Sequence, residues 1–340
     1  MLVFYQGDLN MILNKEQISR LTVGALSVSE RDGWFFFRRF TEKQMEHYRV
    51  KRNGELYKKA LASAGVRLDM MTDAERLSFD FRVEKTCGRP FYSLDLYVDG
   101  IFFETLCVRH IFQKNSGSLS FALPAGKHRI TLYLPNLMIT SLTNIELTNA
   151  TVAEPFETKK KILFFGDSIT QGYNAYRASL SYTNRFSRDL DADLCNQAIG
   201  SEIFDANVID PDLPFSPDLI VTAYGTNDWA VQKTEAEFLG AAEAFFARLR
   251  DVYPDRLRVY ISPIWRGHTQ GIALPAGTFD AACENLKKLA EKYDFFVVDG
   301  SKMVLHNEEF YEDKDVILHP NDLGFTIYAE NLLAALKPIL

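Results

Sequence analysis

Cysteine is scarce in this 340-residue sequence, and its four cysteines lie far apart. They show neither the CxxC spacing of a zinc or redox site nor the density of a disulfide-stabilised secreted domain, so we expect buried thiols in a reducing compartment. Apolar runs of about 18 residues, the length that a membrane helix needs, are absent. Acidic and polar residues come too early in the N-terminal segment for a signal peptide. These absences predict a cytoplasmic protein without membrane association.

Basic residues are also in deficit, because 38 Lys and Arg stand against 45 Asp and Glu, a formal net charge of −7. Nucleic-acid binding is therefore not expected, since no excess of cations exists to neutralise phosphates. The sequence lacks the nucleotide motifs GxGxxG and Walker A, and it has no GxSxG turn of the α/β-hydrolases. Histidines at zinc-ligand spacing such as HExxH are missing too. We expect neither a cofactor nor a metal.

The first half of the chain has the periodicity of strands. Apolar residues alternate over most of the stretch from about residue 24 to residue 152, for example in RLSFDFRV at 76–83. Turn residues separate these segments, and Asp99-Gly100 is a strong hairpin signal. One helical stretch, at about residues 41–62, interrupts the pattern. Short strands joined by tight turns predict an antiparallel β-sandwich or jelly roll.

The second half has a different periodicity. After Lys159, buried apolar segments such as KILFFG and LIVTAYG alternate with amphipathic helical segments. This alternation predicts a parallel sheet covered by helices on both faces. We therefore predict two domains, a β-sandwich of residues 1–155 followed by an α/β domain of residues 156–340.

Three polar clusters follow strands of the predicted parallel sheet, where open α/β sheets form their sites, and a fourth comes well after the last strand, just before the final helix. The four clusters are GDSIT at 166–170, NQAIGS at 196–201, YGTNDW at 224–229 and DVILHPND at 315–322. They supply a hydroxyl, a glycine amide, a carboxamide and an imidazole. Acyl transfer uses each of these groups, because a base activates the hydroxyl for attack on an ester carbonyl and amide hydrogens stabilise the resulting oxyanion.

Taken in order, these clusters resemble the conserved blocks of the SGNH (GDSL-type) hydrolases over about residues 160–340. The resemblance implies a three-layer α/β/α, flavodoxin-like domain that needs no cofactor. It also implies that Ser168 is the nucleophile and His319 the base, and that Gly200 and Asn227 complete an oxyanion hole with the Ser168 amide. The β half resembles the jelly-roll domain that precedes the SGNH domain in carbohydrate esterase family two and related bacterial acetyl esterases.

The triad acid departs from the family pattern. The family places it three residues before the histidine, where this sequence has Val316. Asp315, one residue further back, is our first choice if a local bulge lets it reach the imidazole. Asp313, a backbone carbonyl and a Ser–His dyad without an acid are the alternatives. Asp167 and Asp228 lie beside the key residues, and we expect them to brace loops as hydrogen-bond acceptors.

Aromatic residues at the same edge are candidates for substrate binding. Trp229 follows the third cluster, and Trp265 and Arg266 follow the fourth predicted strand. They would form an aromatic wall with a hydrogen-bond donor for a sugar ring or a short acyl chain; packing of the edge is the alternative.

The sequence as a whole predicts a serine esterase that hydrolyses an O-acyl ester, in the first place an O-acetyl group on a carbohydrate. The substrate would be a small-molecule or oligosaccharide acyl ester. The alternatives are a short-chain acyl or lipid esterase with the same machinery and a carbohydrate-binding protein with a vestigial site. The oligomeric state is left open.

Overall fold

A computed structural model describes residues 10–314 and 316–340. Within those ranges the chain forms two compact units. The first comprises the residues up to Arg39 and Leu61–Glu157, and the second comprises Phe40–Ala60 and Thr158–Leu340. This division differs from the expected domains of 1–155 and 156–340 mainly in one helical segment, which lies early in the sequence but packs with the second unit.

Two antiparallel sheets sharing one apolar core form the first unit. One sheet has the order β3-β4-β11-β6-β9 with β1 beside β11, and the other has the order β12-β5-β10-β7-β8 with β2 beside β5. The elements of this unit are β1 (Met11–Ile12), α1 (Lys15–Leu21), β2 (Thr22–Val23), β3 (Ser27–Arg31), β4 (Trp34–Arg38), β5 (Arg67–Thr72), β6 (Arg76–Lys85), β7 (Tyr92–Val98), β8 (Ile101–Val108), β9 (Ser116–Ala122), β10 (His128–Tyr133), β11 (Met138–Thr148) and β12 (Ala153–Pro155).

The alternation in the sequence explains how these sheets pack. Leu77 and Phe79 of β6 enter the same core as Leu94 and Leu96 of β7, which belongs to the other sheet. The Asp99-Gly100 turn joins β7 to β8 with φ values of 50° and 78°, the left-handed pair that a two-residue hairpin favours. The predicted β-sandwich is confirmed.

A five-stranded parallel sheet with the order β14-β13-β15-β16-β19 organises the second unit, and β17 and β18 form a separate small hairpin. The elements of this unit are α2 (Glu42–Val50), α3 (Glu55–Ala60), β13 (Lys160–Gly166), α4 (Ser168–Gln171), α5 (Tyr182–Asp189), β14 (Ala192–Asn196), β15 (Leu219–Ala223), α6 (Thr226–Val231), α7 (Glu235–Val252), β16 (Leu257–Ile261), β17 (Ala273–Leu274), β18 (Gly277–Thr278), α8 (Phe279–Lys292), β19 (Phe296–Val298) and α9 (Asp322–Leu336).

Helices cover both faces of this sheet. Successive residues of a strand point to opposite faces, and Phe164 of β13 contacts Phe186 of α5 whereas Phe165 contacts Phe245 of α7. The predicted three-layer α/β/α arrangement is therefore confirmed. In the described part of the chain, no helix has the length and apolar character that a membrane span requires.

The helical segment between β4 and β5 begins with a capping box. Thr41 accepts a hydrogen bond from the backbone of Gln44, whose side chain in turn accepts one from the Thr41 amide. After α2 the chain turns through Arg52, Asn53 and Gly54, which all have left-handed φ values, of 48°, 54° and 79°. It then enters α3.

Candidate active site

Ser168 lies at the carboxyl end of β13, as the first residue of α4. Asp167 caps this helix, because its side chain accepts the Ile169 N–H at 2.9 Å. The turn has no room for a side chain at Gly166, where a Cβ would lie 2.2 Å from Thr170 Oγ1 and 2.9 Å from the Ala223 carbonyl oxygen. This tight strand-to-helix turn fixes the serine at the edge of the sheet.

The structure joins Ser168 to the predicted histidine. Ser168 Oγ lies 2.8 Å from His319 Nε2, although 151 positions separate the two residues in the chain. On the other side of the ring, His319 Nδ1 contacts Asp313 Oδ2, and Asn174 Nδ2 donates to Asp313 Oδ1 at 2.6 Å. A carboxylate at Nδ1 holds a hydrogen there and leaves Nε2 as the acceptor for the serine hydroxyl.

The carboxylate on the imidazole is thus Asp313, which the sequence analysis held as an alternative. Asp315, the first choice, lies outside the residues that the structure describes. The chain folds Asp313 back toward His319: the Asp313 carbonyl accepts the Ile317 N–H at 2.6 Å, and the Glu312 N–H donates to the His319 carbonyl at 3.0 Å. Ile317 has a left-handed φ of 44°, a conformation that β-branched residues rarely adopt.

Three further residues near Ser168, His319 and Asp313 were missed from the sequence. The ring of Tyr173 lies 4.6 Å from that of His319, Asn174 holds Asp313, and Gln171 contacts Gly200. All three follow Ser168 within six positions. The sequence signal that could have identified them is the QGYN segment at 171–174, in which glycine and asparagine are residues that tolerate a left-handed backbone. In the structure Gly172 ends α4 with a φ of 93°, and Asn174 has a φ of 75°.

The predicted oxyanion donors differ in their hydrogen-bond partners. A Cβ at Gly200 would lie 3.6 Å from Ser168 Cβ, so the glycine adjoins Ser168. The Gly200 N–H donates to Gln171 Oε1 at 2.7 Å. One hydrogen of the Asn227 carboxamide goes to the Glu202 carbonyl at 2.9 Å, which leaves its second hydrogen for another acceptor. The Ser168 N–H lies in the first turn of α4, where an amide has no acceptor within the helix.

Asp167 and Asp228 act as internal acceptors, as predicted. Both are buried, and burial raises the pKa of each to about 7. Asp228 accepts the Phe204 N–H at 2.9 Å and so braces the loop after Gly200. The nearby Arg266 cation partly opposes the effect of burial on the pKa of Asp167.

The three predicted substrate-binding residues have different surroundings. Trp229 is only 4% exposed, packs edge-to-face on Phe279 and donates its indole N–H to the Gly277 carbonyl at 2.9 Å, which favours the packing alternative. Arg266 donates to Thr226 Oγ1 at 3.0 Å and lies over the Trp229 ring. Trp265 is half-buried, stacks on His306 at 5.2 Å and borders a cavity of about 480 Å³.

This cavity lies beyond the carboxyl ends of β16 and β19. Its lining combines the Trp265 ring with the polar side chains of Lys287, Asp299 and Ser301. The described ranges contain no group of three or more His, Cys, Asp or Glu side chains that could hold a metal ion.

Comparison with known proteins places this geometry in a family. Residues 164–327, which include Ser168, Gly200, Asn227, Asp313 and His319, match the GDSL-like lipase/acylhydrolase family. No curated protein sequence matches the chain.

Solved structures share the fold over nearly the whole chain. The salicylyl-acyltransferase SsfX3 from a tetracycline biosynthetic pathway is 22% identical, with 98% of each chain covered and a TM-score of 0.84. A Bacteroides ovatus protein described as a GDSL-like lipase is 18% identical, with 98% of each chain covered and a TM-score of 0.72. A family two carbohydrate esterase from Cellvibrio japonicus is 17% identical, covering 97% of this chain and 99% of that one with a TM-score of 0.65. By the family match, residues 164–327 form a GDSL-like lipase/acylhydrolase domain, and the protein is a carboxylic ester hydrolase.

Proposed function

We propose that the protein hydrolyses O-acyl esters through an acyl-Ser168 intermediate, and that its preferred substrates are O-acetyl groups on a carbohydrate. The observation that carries this proposal is the chain of contacts from Ser168 Oγ to His319 Nε2 and from His319 Nδ1 to Asp313. Asp313 takes the role of the triad acid. It orients the ring and stabilises the imidazolium that forms when the serine loses its proton.

Acylation follows from this arrangement. Ser168 Oγ forms a bond to the ester carbonyl carbon while its proton moves to His319 Nε2, and the carbonyl oxygen becomes an oxyanion. His319 then gives the proton to the alcohol oxygen of the substrate as the ester C–O bond breaks. In deacylation, His319 takes a proton from water, the hydroxide attacks the acyl carbon, and the proton returns to Ser168 Oγ as the carboxylic acid leaves.

The oxyanion would receive hydrogen bonds from the Ser168 amide, the free hydrogen of the Asn227 carboxamide and the Gly200 amide. One such donor is typically worth about 3 kcal/mol of barrier. In the structure the Gly200 N–H donates its hydrogen bond to Gln171 Oε1. The Gly200 amide can therefore serve the oxyanion only when the carboxamide of Gln171 gives way to the substrate oxygen.

The carbohydrate part of the proposal is supported by the fold, which is shared with a protein described as a family two carbohydrate esterase. The cavity beside Trp265 combines an aromatic ring with polar groups, but none of Ser168, Gly200, Asn227 and His319 lines it. The alternatives in the same class are a short-chain acyl or lipid esterase; a vestigial carbohydrate-binding protein is disfavoured by the intact contact between Ser168 and His319.

A substrate panel tests the proposal. Acetylated mono- and oligosaccharides are compared with short-chain and long-chain nitrophenyl esters, using the wild type and Ser168→Ala. We expect release of acetate from the sugars by the wild type and loss of turnover in the variant. A preference for long acyl chains would overturn the carbohydrate assignment, and sugar binding without turnover would show a vestigial site.

A second candidate is transfer of the acyl group to an alcohol, which the likeness to an acyltransferase brings into consideration. The acyl-Ser168 intermediate reacts with whichever hydroxyl reaches it first, so water and an alcohol acceptor compete. Product analysis in the presence of sugar or aromatic alcohols measures this partition. Ester products in excess of free acid would favour the transferase.

A further inference from the structure

The loop of residues 200–205, called here the Gly200 loop, is held by three basic side chains of the helical segment Phe40–Ala60. Lys51 Nζ donates to Glu202 Oε1 at 2.7 Å and to Asp205 Oδ2 at 2.6 Å. Arg52 Nη1 donates to the Ser201 carbonyl at 2.8 Å, and Lys59 Nζ donates to the Gly200 carbonyl at 3.2 Å. His47 Nε2 also lies 2.8 Å from Asp205 Oδ2. Four residues of one segment thus converge on one short loop.

Both partners in this contact have unfavourable backbone conformations. Ser201 has a φ of 71° in the Gly200 loop, and Arg52 and Asn53 have φ values of 48° and 54° in the turn that presents Lys51. Left-handed conformations of residues other than glycine persist only where the surroundings hold them, and they concentrate at functional sites. The hydrogen bonds between the two segments are the contacts that can hold them.

The Gly200 loop connects these contacts with the oxyanion donors. Glu202 forms an ion pair with Lys51, and its backbone carbonyl oxygen accepts a hydrogen bond from the Asn227 carboxamide at 2.9 Å. The Glu202 side chain is fully buried, so its charge depends on Lys51 for compensation. A shift of the Glu202 backbone would therefore turn the Asn227 carboxamide as well.

We propose that Lys51 is a positioning residue for the oxyanion hole, acting through Glu202 on Asn227 and through the Gly200 loop on Gly200. The inference rests on the proposed function, because it assigns these two residues to the oxyanion. The helical segment then serves catalysis although none of its side chains needs to touch the substrate. Lys51 holds in place the donors that stabilise the charge of the transition state, so its loss lowers kcat and leaves KM nearly unchanged.

Kinetics of three single variants test this role with nitrophenyl acetate as the probe. Lys51→Met is expected to lower kcat about tenfold or more, with KM within about twofold, because a displaced donor loses much of its value. Lys51→Arg should recover most of the rate, since it restores the cation. The matched control is Lys43→Met on the same helix, whose lysine is 66% exposed and which should retain wild-type kinetics. A wild-type kcat for folded Lys51→Met would overturn the proposal.

The variant Lys51→Met leaves the Glu202 charge buried and unpaired, so it has the greater risk of misfolding. The double variant Lys51→Met/Glu202→Gln removes both charges and provides a folded protein for the same measurement. A boronic acid that forms a tetrahedral adduct with the serine supplies a second readout. Its affinity should fall by the same factor as kcat/KM in this double variant, and an unchanged affinity would contradict the role of Lys51.

Hydrogen exchange separates this inference from the proposed function. Amides of residues 200–205 should exchange faster in the Lys51 variants than in the wild type and in Lys43→Met, whatever the substrate is. Faster exchange in a protein that hydrolyses no ester would support the positioning role of Lys51 and contradict the esterase function. Unchanged exchange in an active esterase would overturn only the positioning role of Lys51.

Discussion

At the scale of single residues, the contact between Asp313 and His319 decides how the imidazole works. The carboxylate lies on Nδ1, and Asn174 holds its second oxygen at 2.6 Å. An amide in place of the carboxylate can hold the ring in the wrong tautomer, with the hydrogen on Nε2 where the serine needs an acceptor.

We therefore predict that Asp313→Asn lowers kcat by about 10⁴-fold with nearly unchanged stability, as expected for a triad that loses its acid. The measurement is steady-state hydrolysis of nitrophenyl acetate together with thermal unfolding. Asp315→Asn is the matched control and should keep a near-normal rate. The reverse result, with Asp315→Asn inactive and Asp313→Asn active, would return the acid to Asp315.

Asp228 has a further effect at this scale, on the pH dependence of stability. Burial raises its pKa to about 7 in the folded protein, whereas an unfolded aspartate titrates near its ordinary value of 3.8. Between these two pH values the folded state binds more protons than the unfolded state, so the contribution of Asp228 to stability falls as pH rises from about 4 to about 7.

The variant Asp228→Asn is expected to remove this part of the pH dependence. Its carboxamide oxygen can still accept the Phe204 N–H, and no charge needs to be buried. Urea unfolding at pH 5 and pH 8 measures the difference, which should be smaller in the variant by on the order of a few kcal/mol. Equal pH slopes for both proteins would show that Asp228 is not the titrating group.

At the scale of elements, the turn between β13 and α4 positions Ser168, and its geometry depends on Gly166. A methyl group at this position would meet Thr170 Oγ1 at 2.2 Å and backbone at 2.9 Å. Gly240, in the middle of α7, has open space around it.

Two glycine-to-alanine substitutions therefore have opposite expected effects. Gly166→Ala should destabilise the protein by about 2 kcal/mol or more and displace Ser168, because backbone cannot move away from the new methyl group. Gly240→Ala should stabilise α7 by about 0.5–1 kcal/mol, since alanine has the higher helix propensity. Thermal unfolding and activity of the two variants check this pair. A tolerated Gly166→Ala would mean that the turn is looser than the structure indicates.

The sequence was most informative about elements whose residues act locally. The periodicity identified the strands of both units. Ser168 and Gly200, which follow β13 and β14, lie together because the carboxyl ends of parallel strands share one edge. Asp313 was not the first choice because the backbone path between it and His319 passes through a left-handed Ile317, which no residue type signals. Gln171 was missed because the sequence analysis considered only Ser168 in the segment around GDSIT. The contact of Gln171 with Gly200 joins two separate clusters.

At the scale of the whole molecule, the second unit is assembled from two separate parts of the chain. The segment Phe40–Ala60 precedes most strands of the first unit, and the prediction placed it with them by position. Its partners, such as Gln197 for Gln44 and Glu202 for Lys51, lie about 150 residues later. Sequence periodicity reports a helix's apolar face but does not identify the distant residues that contact it.

This assembly predicts how fragments behave. A fragment of residues 158–340 should be less stable and less active than the same fragment joined by a flexible linker to residues 40–60, because only the second contains the partners of the Gly200 loop. Both fragments lack the first unit, so the comparison isolates the helical segment. Thermal unfolding and nitrophenyl acetate hydrolysis provide the readouts. Identical behaviour of the two fragments would contradict the discontinuous assembly.

The most direct measurement is covalent labelling with a serine-reactive phosphonate, followed by mass spectrometric mapping of the modified peptide. We predict one modified residue, Ser168, and a labelling rate that falls by about 10³-fold or more in His319→Ala, because the imidazole removes the hydroxyl proton during attack. Modification of a different serine, or labelling of Ser168 that proceeds at the same rate without His319, would contradict the pairing on which the proposed activity depends.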